Sequence, residues 1–161
     1  MRIAWFDVEE LEKEYLKEKD LDIEIDFFEN PLNRENMGFD KKYDGVSVFL
    51  TSNVDRETLA ELNIDFIATR STGVDHIDVD AAKEYGIRVC NVPDYGAVTV
   101  AEHVFGLMLS LARKIYYGIE KVKRGGFDRE GLRGFDLNGK TLGVIGTGSI
   151  GKEVIKRAKC F

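Results

Sequence analysis

The sequence predicts an α/β fold with a doubly wound parallel sheet, and three observations support this prediction. Before Pro93, short apolar runs rich in β-branched residues alternate with helical patterns, as in parallel strands joined by helical crossovers. After Pro93 comes a long segment with apolar residues spaced by threes and fours, and then a strand-like run with a glycine-rich turn. The length of 161 residues and the 43% apolar content suffice for a hydrophobic core.

The charge balance and the cysteines exclude several classes of function. With 23 basic and 29 acidic side chains the formal net charge is −6, so nucleic acid is not an expected partner. Every apolar run is shorter than the roughly 18 residues of a membrane span, and Met1 leads directly into a strand-like run. We therefore expect a cytoplasmic protein with no membrane partner. Cys90 and Cys160 have neither a disulfide pattern nor a metal-ligand spacing, so we expect both to be reduced and no metal to be bound.

Five strands and three helices account for the segment before Pro93. The strands are predicted at residues 2–6, 23–28, 46–50, 66–69 and 87–92, and the helices at 8–19, 53–62 and 78–85. Asn53 or Asp55 is available as the N-cap of the second helix, and Gly86 follows the third helix where a left-handed C-cap residue is expected. Residues 30–40 are predicted to be irregular. This alternation is typical of a flavodoxin-like sheet, although sequence alone does not settle the strand order.

One long helix is predicted from residue 99 to about residue 123, and a linker rich in glycine and charge follows at 124–139. The main apolar positions of the helix recur every three or four residues: Val100, Val104, Leu107, Leu111, Ile115, Ile119 and Val122. This apolar surface exceeds what one small sheet needs. We therefore expect a second domain or a second copy of the chain to pack against it.

The segment after the linker contains a G-x-G-x-x-G motif, Gly146-Thr-Gly-Ser-Ile-Gly151, between a predicted strand at 140–145 and a predicted helix at 152–159. In such a turn the first glycine permits a tight bend, the second lets the backbone approach a pyrophosphate, and the third lets helix and strand pack closely. This context predicts the first βα unit of a Rossmann domain, and a glycine-rich turn without a ligand is the alternative. The acidic residue that contacts the ribose is expected about 20 residues further on, after Phe161, so NAD and NADP are not distinguished.

Three linked motifs resemble the D-isomer-specific 2-hydroxyacid dehydrogenase family, and the D-lactate type most closely. They are Arg70-Ser-Thr-Gly-Val-Asp-His-Ile-Asp78, then Asn91-Val-Pro-Asp-Tyr95 with Ala101-Glu-His103, and then Gly139-Lys-Thr-Leu-Gly-Val-Ile-Gly-Thr-Gly-Ser-Ile-Gly151. Their order and spacing match as well, and the resemblance covers essentially the whole chain. It implies a flavodoxin-like substrate domain, completed by a C-terminal tail, with a dinucleotide-binding domain inserted between them.

The resemblance also implies a set of binding residues. The backbone N–H groups of Thr72 and Gly73 would hold a substrate carboxylate, and Tyr95 would line the pocket of a small 2-oxo acid. Val100 would lie beside the nicotinamide ring, and the glycine turn would hold NAD through Gly146, Gly148, Ser149, Ile150 and Gly151. Considered without the family, the residues at 72–73 form an ordinary strand-to-helix turn, Tyr95 is a half-buried aromatic residue, and Val100 is a core residue.

No catalytic residue is expected within this sequence. The family uses a histidine assisted by a glutamate as general acid/base and an arginine that polarises the keto acid, and the resemblance places all three beyond the glycine turn. His76 is interpreted as a polar residue near the cleft rim and His103 as a helix residue. Glu102 is interpreted as a capping or hydrogen-bonding residue.

These inferences divide the chain into a substrate domain at 1–96, an inter-domain helix at 97–123, a linker at 124–139 and an incomplete dinucleotide-binding domain at 140–161. We expect a truncated portion of an NAD-dependent dehydrogenase of small 2-hydroxy acids, not active alone, with weak or absent binding of NAD. A small-carboxylate binding module or an interaction protein on the same sheet is the alternative. Residues 140–161 are expected to pack on the five-stranded sheet or against a second chain, in a homodimer held by the long helix.

Overall fold

The protein folds as two compact units, which are called the N-terminal unit (Met1–Pro93) and the C-terminal unit (Asp94–Phe161). The computed structural model describes residues 1–37 and 42–161. The end of the predicted irregular segment 30–40 therefore lies outside the described residues.

The N-terminal unit contains a five-stranded parallel sheet. Its strands are β1 (Arg2–Trp5), β2 (Glu24–Phe27), β3 (Gly45–Val48), β4 (Phe66–Thr69) and β5 (Arg88–Cys90), in the order β2-β1-β3-β4-β5. This is the flavodoxin-like order, so the predicted fold class is confirmed. The chain reverses its direction of winding between β1 and β3, and the carboxyl ends of these strands form the edge at which ligands bind in such sheets.

Central strands of the sheet supply the core of this unit. All four residues of β3 are buried, as expected for a strand covered on both faces. Gly45 at the start of β3 leaves room for a neighbouring ring, because an added Cβ would lie 2.6 Å from Phe66. The core side chains of this unit come from β1, β3 and β4 and from the helices and segments between the strands: Ala4, Phe6, Leu32, Tyr43, Val46, Val48, Val54, Leu59, Ile67, Ile77, Ala81, Ala82 and Ile87.

Three helices connect these strands: α1 (Glu10–Lys17), α2 (Arg56–Glu61) and α3 (Val79–Glu84). The structure decides between the two candidate caps of α2, because the Asp55 carboxylate accepts a hydrogen bond of 2.8 Å from the Thr58 N–H. Asp78 caps α3 in the same way through the Ala81 N–H, at 2.9 Å. Gly86 follows α3 with a φ of +75°, the left-handed conformation that the sequence predicts there.

The single long helix predicted at 99–123 is wrong, because the structure contains two helices, α4 (Ala97–Ala112) and α5 (Ile115–Lys123). Lys114 separates them with a left-handed φ of +57°. The carbonyl of Ala112 accepts a hydrogen bond from the Phe135 N–H at 3.0 Å instead of continuing the helix. Gly134 permits this approach, since an added Cβ would lie 2.0 Å from that carbonyl oxygen. The apolar periodicity continues across the break, so the sequence pattern could not reveal where the helix ends.

The predicted strand at 140–145 is also not formed, because these residues have no regular secondary structure. A parallel strand needs a neighbour for its ladder hydrogen bonds, and none of the described residues pairs with this segment. The following helix, α6 (Ser149–Ala158), forms as predicted and packs against α4. Val154 is buried there with Ala101 and Phe105. The members of this hydrophobic cluster all belong to the C-terminal unit, so α6 has a packing partner, α4, that the sequence did not predict for it.

Within the two described ranges, none of the helices is long and apolar enough to cross a membrane.

Replacing Asp55 by alanine is expected to lower the free energy of unfolding by about 1 kcal/mol, because the Thr58 N–H loses its acceptor. That hydrogen bond lowers the pKa of Asp55. The difference from the wild type should therefore be complete above the unfolded pKa of about 4 and shrink as the pH falls through the lower folded pKa. Urea unfolding at several pH values measures both effects. Asn53→Ala is the matched control and should be nearly neutral; equal losses for the two variants would contradict this assignment of the cap.

Candidate functional site

The carboxyl edge of the sheet is built around Arg70, which directly follows β4. Its Nη2 atom donates to the carbonyl oxygens of Phe6 and Asp7, both at 2.9 Å. Its Nη1 atom donates to Ser47 Oγ in β3 at 3.0 Å, and its Nε atom donates to Glu12 Oε1 at 3.1 Å. Burial lowers the pKa of Arg70, and the Glu12 carboxylate opposes this effect. One guanidinium therefore links the ends of β1, β3 and β4.

Asp7, which follows β1, has a left-handed φ of +52°, an unusual conformation for a residue other than glycine. Its carboxylate is fully engaged by the loop after β3. It accepts hydrogen bonds from Ser52 Oγ at 2.6 Å, from the Phe49 N–H at 3.3 Å and from the Thr51 hydroxyl. Asp7 therefore holds the loop after β3 in place.

Residues 71–74, called here the amide turn, follow Arg70, and the structure fixes the orientation of three successive peptide bonds in them. The Ser71 carbonyl accepts from the Val92 N–H at 3.0 Å, and the Thr72 carbonyl accepts from Asn91 Nδ2 at 2.8 Å. The Gly73 carbonyl accepts from Ser71 Oγ at 2.7 Å.

In a trans peptide the N–H points away from the carbonyl of the same unit, and the described chain has no cis bond. The N–H groups of Thr72, Gly73 and Val74 therefore point away from the groups that hold the carbonyls. Among the described residues, none accepts a hydrogen bond from these three N–H groups. Thr72 and Gly73 are exposed. The amide turn thus offers main-chain donors without a competing acceptor, which suits a carboxylate.

His76 lies next to the amide turn, and its Nε2 atom is 3.0 Å from Thr69 Oγ1. Burial lowers the pKa of His76, while the negative charges of Asp7 and Asp75 act in the opposite direction. His103 and Glu102 lie exposed on α4, and Glu102 forms an ion pair with Arg157 in α6 at 3.4 Å. This contact agrees with the hydrogen-bonding role expected for Glu102.

The glycine turn of the C-terminal unit has the features of a pyrophosphate cradle. Gly146 has a φ of +90°, which only glycine adopts readily, and nothing lies within 4 Å of a Cβ added at Gly148. Gly148 is the N-cap of α6, and the first backbone hydrogen bond of this helix runs from Lys152 to the Gly148 carbonyl. The N–H groups of Ser149, Ile150 and Gly151 are thus available to an anion, together with the helix dipole.

Gly151 packs directly on the start of the same turn. A Cβ added there would lie 2.1 Å from the Gly146 carbonyl oxygen, so no larger residue fits. This is the close-packing role that the third glycine of the motif predicts. The residues present therefore fit a dinucleotide pyrophosphate.

Two of the predicted site residues of the C-terminal unit meet at one cavity. It has a volume of about 320 Å³, and Tyr95 and Ser149 both contribute to its wall, together with Asp94, Ala97, Val98, Lys152 and Glu153. Tyr95 is 64% exposed, so its ring is free to contact a ligand. Val100 is 42% exposed on α4 and is not in that wall. Thr72 and Gly73 belong to the N-terminal unit.

Sequence reasoning missed Arg70, Ser71 and Asn91 as parts of the site, although all three stand in the motifs that carry the family resemblance. Their contacts explain their presence, because Arg70 holds the strand ends while Ser71 and Asn91 orient the amide turn. Val74 adds a third N–H to the two that the sequence predicts. Ser71 and Asn91 could have been found from their side-chain type, because serine and asparagine beside a turn commonly bind main-chain atoms.

Comparison with known proteins concerns the chain as a whole. A family model described as "D-isomer specific 2-hydroxyacid dehydrogenase, catalytic domain" matches residues 3–159. D-lactate dehydrogenase of Escherichia coli strain K12 is 35% identical over 166 aligned positions, which cover 100% of this chain and 50% of that protein. The apo structure of the Escherichia coli enzyme superposes with a TM-score of 0.87 at 34% identity and covers 99% of this chain and 52% of that one.

Two further relatives bear on ligands. An aromatic 2-oxoacid reductase of Clostridium sporogenes is 47% identical over 119 residues, which cover 72% of this chain and 36% of that protein. D-lactate dehydrogenase of Aquifex aeolicus, solved in complex with NAD and lactic acid, has a TM-score of 0.83 at 31% identity and covers 98% of this chain and 48% of that one. The chain spans about half the length of the curated relatives that it matches from end to end.

Gly151→Ala is expected to loosen the glycine turn. Alanine favours a helix by about 1 kcal/mol over glycine, but the clash with the Gly146 carbonyl costs about 1–3 kcal/mol and should prevail. Gly148→Ser is the matched control, because its site is open and serine is a good N-cap. Hydrogen exchange of the α6 amides measures the effect. Faster exchange in the Gly151 variant alone is expected, and unchanged protection in that variant would contradict the packing described.

Proposed function

Since the chain belongs to the D-isomer-specific 2-hydroxyacid dehydrogenase family, we propose that it provides the substrate-carboxylate site and the first part of the coenzyme site of an NAD-dependent dehydrogenase. The reaction would interconvert a small 2-oxo acid and its D-2-hydroxy acid. The observation that carries this proposal is the amide turn, in which three successive carbonyls are held and the three N–H groups behind them have no acceptor among the described residues.

The amide turn would bind the carboxylate of the substrate through the N–H groups of Thr72 and Gly73, with that of Val74 beside them. Main-chain donors are preorganised here by the hydrogen bonds to their carbonyls, so little entropy is lost on binding. These donors carry no net charge. They therefore orient the carboxylate without a positive charge that would compete with a catalytic group for the keto oxygen. Fixing the carboxylate in this way places the adjacent 2-oxo carbon for reaction.

The glycine turn would hold the pyrophosphate of NAD through Gly146, Gly148, Ser149, Ile150 and Gly151, and Val100 would lie beside the nicotinamide. When bound, NAD supplies the chemistry of hydride transfer. The contribution of this chain is positional, because we assign no proton-transferring residue to it: Asp7 is engaged by the loop after β3, and His76 is bound to Thr69. By itself, the chain is expected to bind NAD weakly and to have no turnover.

Tyr95 supports a small substrate of the D-lactate type. It stands at an exposed position in the wall of the same cavity as Ser149 of the glycine turn. The family resemblance assigns this tyrosine to the wall of the substrate pocket. The name of one relative contains a small 2-hydroxy acid, D-lactate, and the name of another contains aromatic 2-oxo acids. Pyruvate is the favoured substrate, and an aromatic 2-oxo acid such as phenylpyruvate is the comparison that tests this choice.

A small-carboxylate binding module is the second candidate function. The amide turn and all the groups that orient it lie in the N-terminal unit, whereas the glycine turn lies in the C-terminal unit. Carboxylate binding could therefore occur without a coenzyme. An interaction protein with neither ligand is the remaining alternative.

We also propose that the protein is cytoplasmic and forms a homodimer through α4 and α5. Apolar side chains on these two helices remain exposed in the chain alone: Val100, Leu107, Leu111, Ile115, Ile119 and Val122. Leu111 is 70% exposed. Such a surface favours burial against a second copy.

Titration of the isotope-labelled protein with sodium pyruvate is expected to shift the amide resonances of Thr72, Gly73 and Val74. Asn91→Leu should weaken the binding roughly fivefold, because the Thr72 carbonyl is no longer held. Arg88→Leu, at an exposed position of β5, is the matched control. NADH is then added and its absorbance followed. Turnover would show an active enzyme, binding without turnover supports the carboxylate site, and no shift at the amide turn would contradict the proposal.

Light scattering tests the homodimer. Leu111→Glu places a charge in the apolar surface and is expected to convert the dimer to a monomer at micromolar concentration. Leu50→Glu introduces the same charge at a 57% exposed position of the N-terminal unit and should leave the dimer intact. A wild-type protein that is monomeric at all concentrations would rule out this interface.

A further inference from the structure

A chain of hydrogen bonds runs from His76 to the amide turn. His76 Nε2 lies 3.0 Å from Thr69 Oγ1, which lies 2.7 Å from Ser71 Oγ. Ser71 Oγ donates to the Gly73 carbonyl at 2.7 Å. Thr69 and Ser71 are each 2% exposed, so the protein itself must satisfy their hydroxyl groups.

The number of protons fixes the direction of this chain. A hydroxyl group has one proton to donate, and that of Ser71 is directed to the Gly73 carbonyl. Ser71 must therefore accept from Thr69, which uses the only hydroxyl proton of Thr69. Thr69 in turn must accept from His76, so the proton of the neutral imidazole is on Nε2. All the hydrogen bonds thus point from the ring towards the amide turn.

We propose that His76 is a positioning residue for the carboxylate site, acting through Thr69 and Ser71 on the peptide bond between Gly73 and Val74. This inference rests on the proposed function and names a residue that the site needs besides the amide turn itself. With the Gly73 carbonyl held by Ser71, the Val74 N–H points in the opposite direction, towards the position of the substrate carboxylate.

The burial of three polar side chains to hold one exposed carbonyl distinguishes this role from simple packing. Gly73 is exposed, so water could satisfy its carbonyl without help from the protein. Instead, two buried hydroxyl groups and a partly buried imidazole turn that carbonyl inward. If the chain of donors is interrupted, the Ser71 hydroxyl is free to donate elsewhere, and the peptide bond can rotate so that its N–H no longer faces outward.

The backbone of His76 is held independently of its ring. Its carbonyl accepts from the Val54 N–H at 2.9 Å, and Ile77 pairs with Val54 in an isolated bridge. A substitution of the side chain therefore leaves the main-chain anchor of residues 76–77 in place. This makes it possible to alter the donor without removing the turn.

The first measurement is the tautomer of His76 in the full 161-residue chain, from the nitrogen chemical shifts of the ring at pH 7.5. Burial lowers the pKa of His76, so the ring is neutral there. A proton on Nε2 is expected. A proton on Nδ1 would overturn the proposal, whether or not the protein binds pyruvate.

The second measurement compares two variants in the sodium pyruvate titration. His76→Leu removes the donor and is expected to shift the free-state amide resonances of Gly73 and Val74 and to weaken pyruvate binding roughly fivefold. His76→Gln keeps an N–H near the position of Nε2 and should restore most of the affinity. His103→Leu, on the exposed face of α4, is the matched control. A merely structural role would give equal effects for leucine and glutamine, and that result would overturn the proposal.

Ser71→Ala keeps the proposal testable if His76→Leu does not fold, because it breaks the same chain at its other end. It is expected to reproduce the amide shifts and the loss of affinity, and an unchanged Val74 resonance would contradict the proposal. If wild-type protein binds no pyruvate, the proposed function fails. The tautomer and the amide resonances still decide the role of His76 in that case.

Discussion

The edge of the sheet at which the candidate site stands depends on the Arg70 guanidinium. Its donors reach main-chain oxygens after β1, a hydroxyl group in β3 and a carboxylate in α1, so one side chain replaces several separate loop contacts. The side chain is only 16% exposed, and its guanidinium carbon lies over the Trp5 ring, 4.8 Å from the ring centroid. Hydrogen bonds to a charged group contribute about 1.5–3 kcal/mol each. The loops that follow the strands therefore have little freedom to move apart.

In this arrangement the charged side chains are separate from the groups that are open to a ligand. The charged groups Arg70, Asp7 and Glu12 are already engaged: Arg70 binds Glu12 and main-chain oxygens, and the Asp7 carboxylate accepts from hydroxyl groups and an N–H of the loop after β3. The groups left for a ligand are neutral N–H donors of the amide turn. If the amide turn binds a carboxylate as proposed, it does so by geometry more than by net charge, which suits a protein whose formal charge is −6. A single salt bridge to a flexible lysine would hold the acid with less angular precision.

Much of the fold and part of the site could be predicted from the sequence, and particular residues show why the rest could not. The five strands follow from local apolar runs, and α2 and α3 follow from the caps that precede them, so these elements depend on neighbouring residues only. Lys114 and the carbonyl of Ala112 depend on Phe135, which is distant in sequence, and no local pattern records that contact. The run at 140–145 has strand-forming residues, but a strand also requires a partner. The family motifs indicated the amide turn, whereas the roles of Arg70 and His76 required the positions of atoms from separate strands.

The interruption at Lys114 has a consequence for how this chain tolerates insertions and deletions. In an uninterrupted helix, each inserted residue rotates everything beyond it by about 100°, and the apolar stripe leaves its partner surface. A left-handed residue between α4 and α5 ends the helical phase at Ala112 and starts a new one at Ile115. The apolar face of α5 is therefore set by the turn at Lys114 and not by the phase of α4, so a residue inserted in that turn need not rotate α5 by this amount.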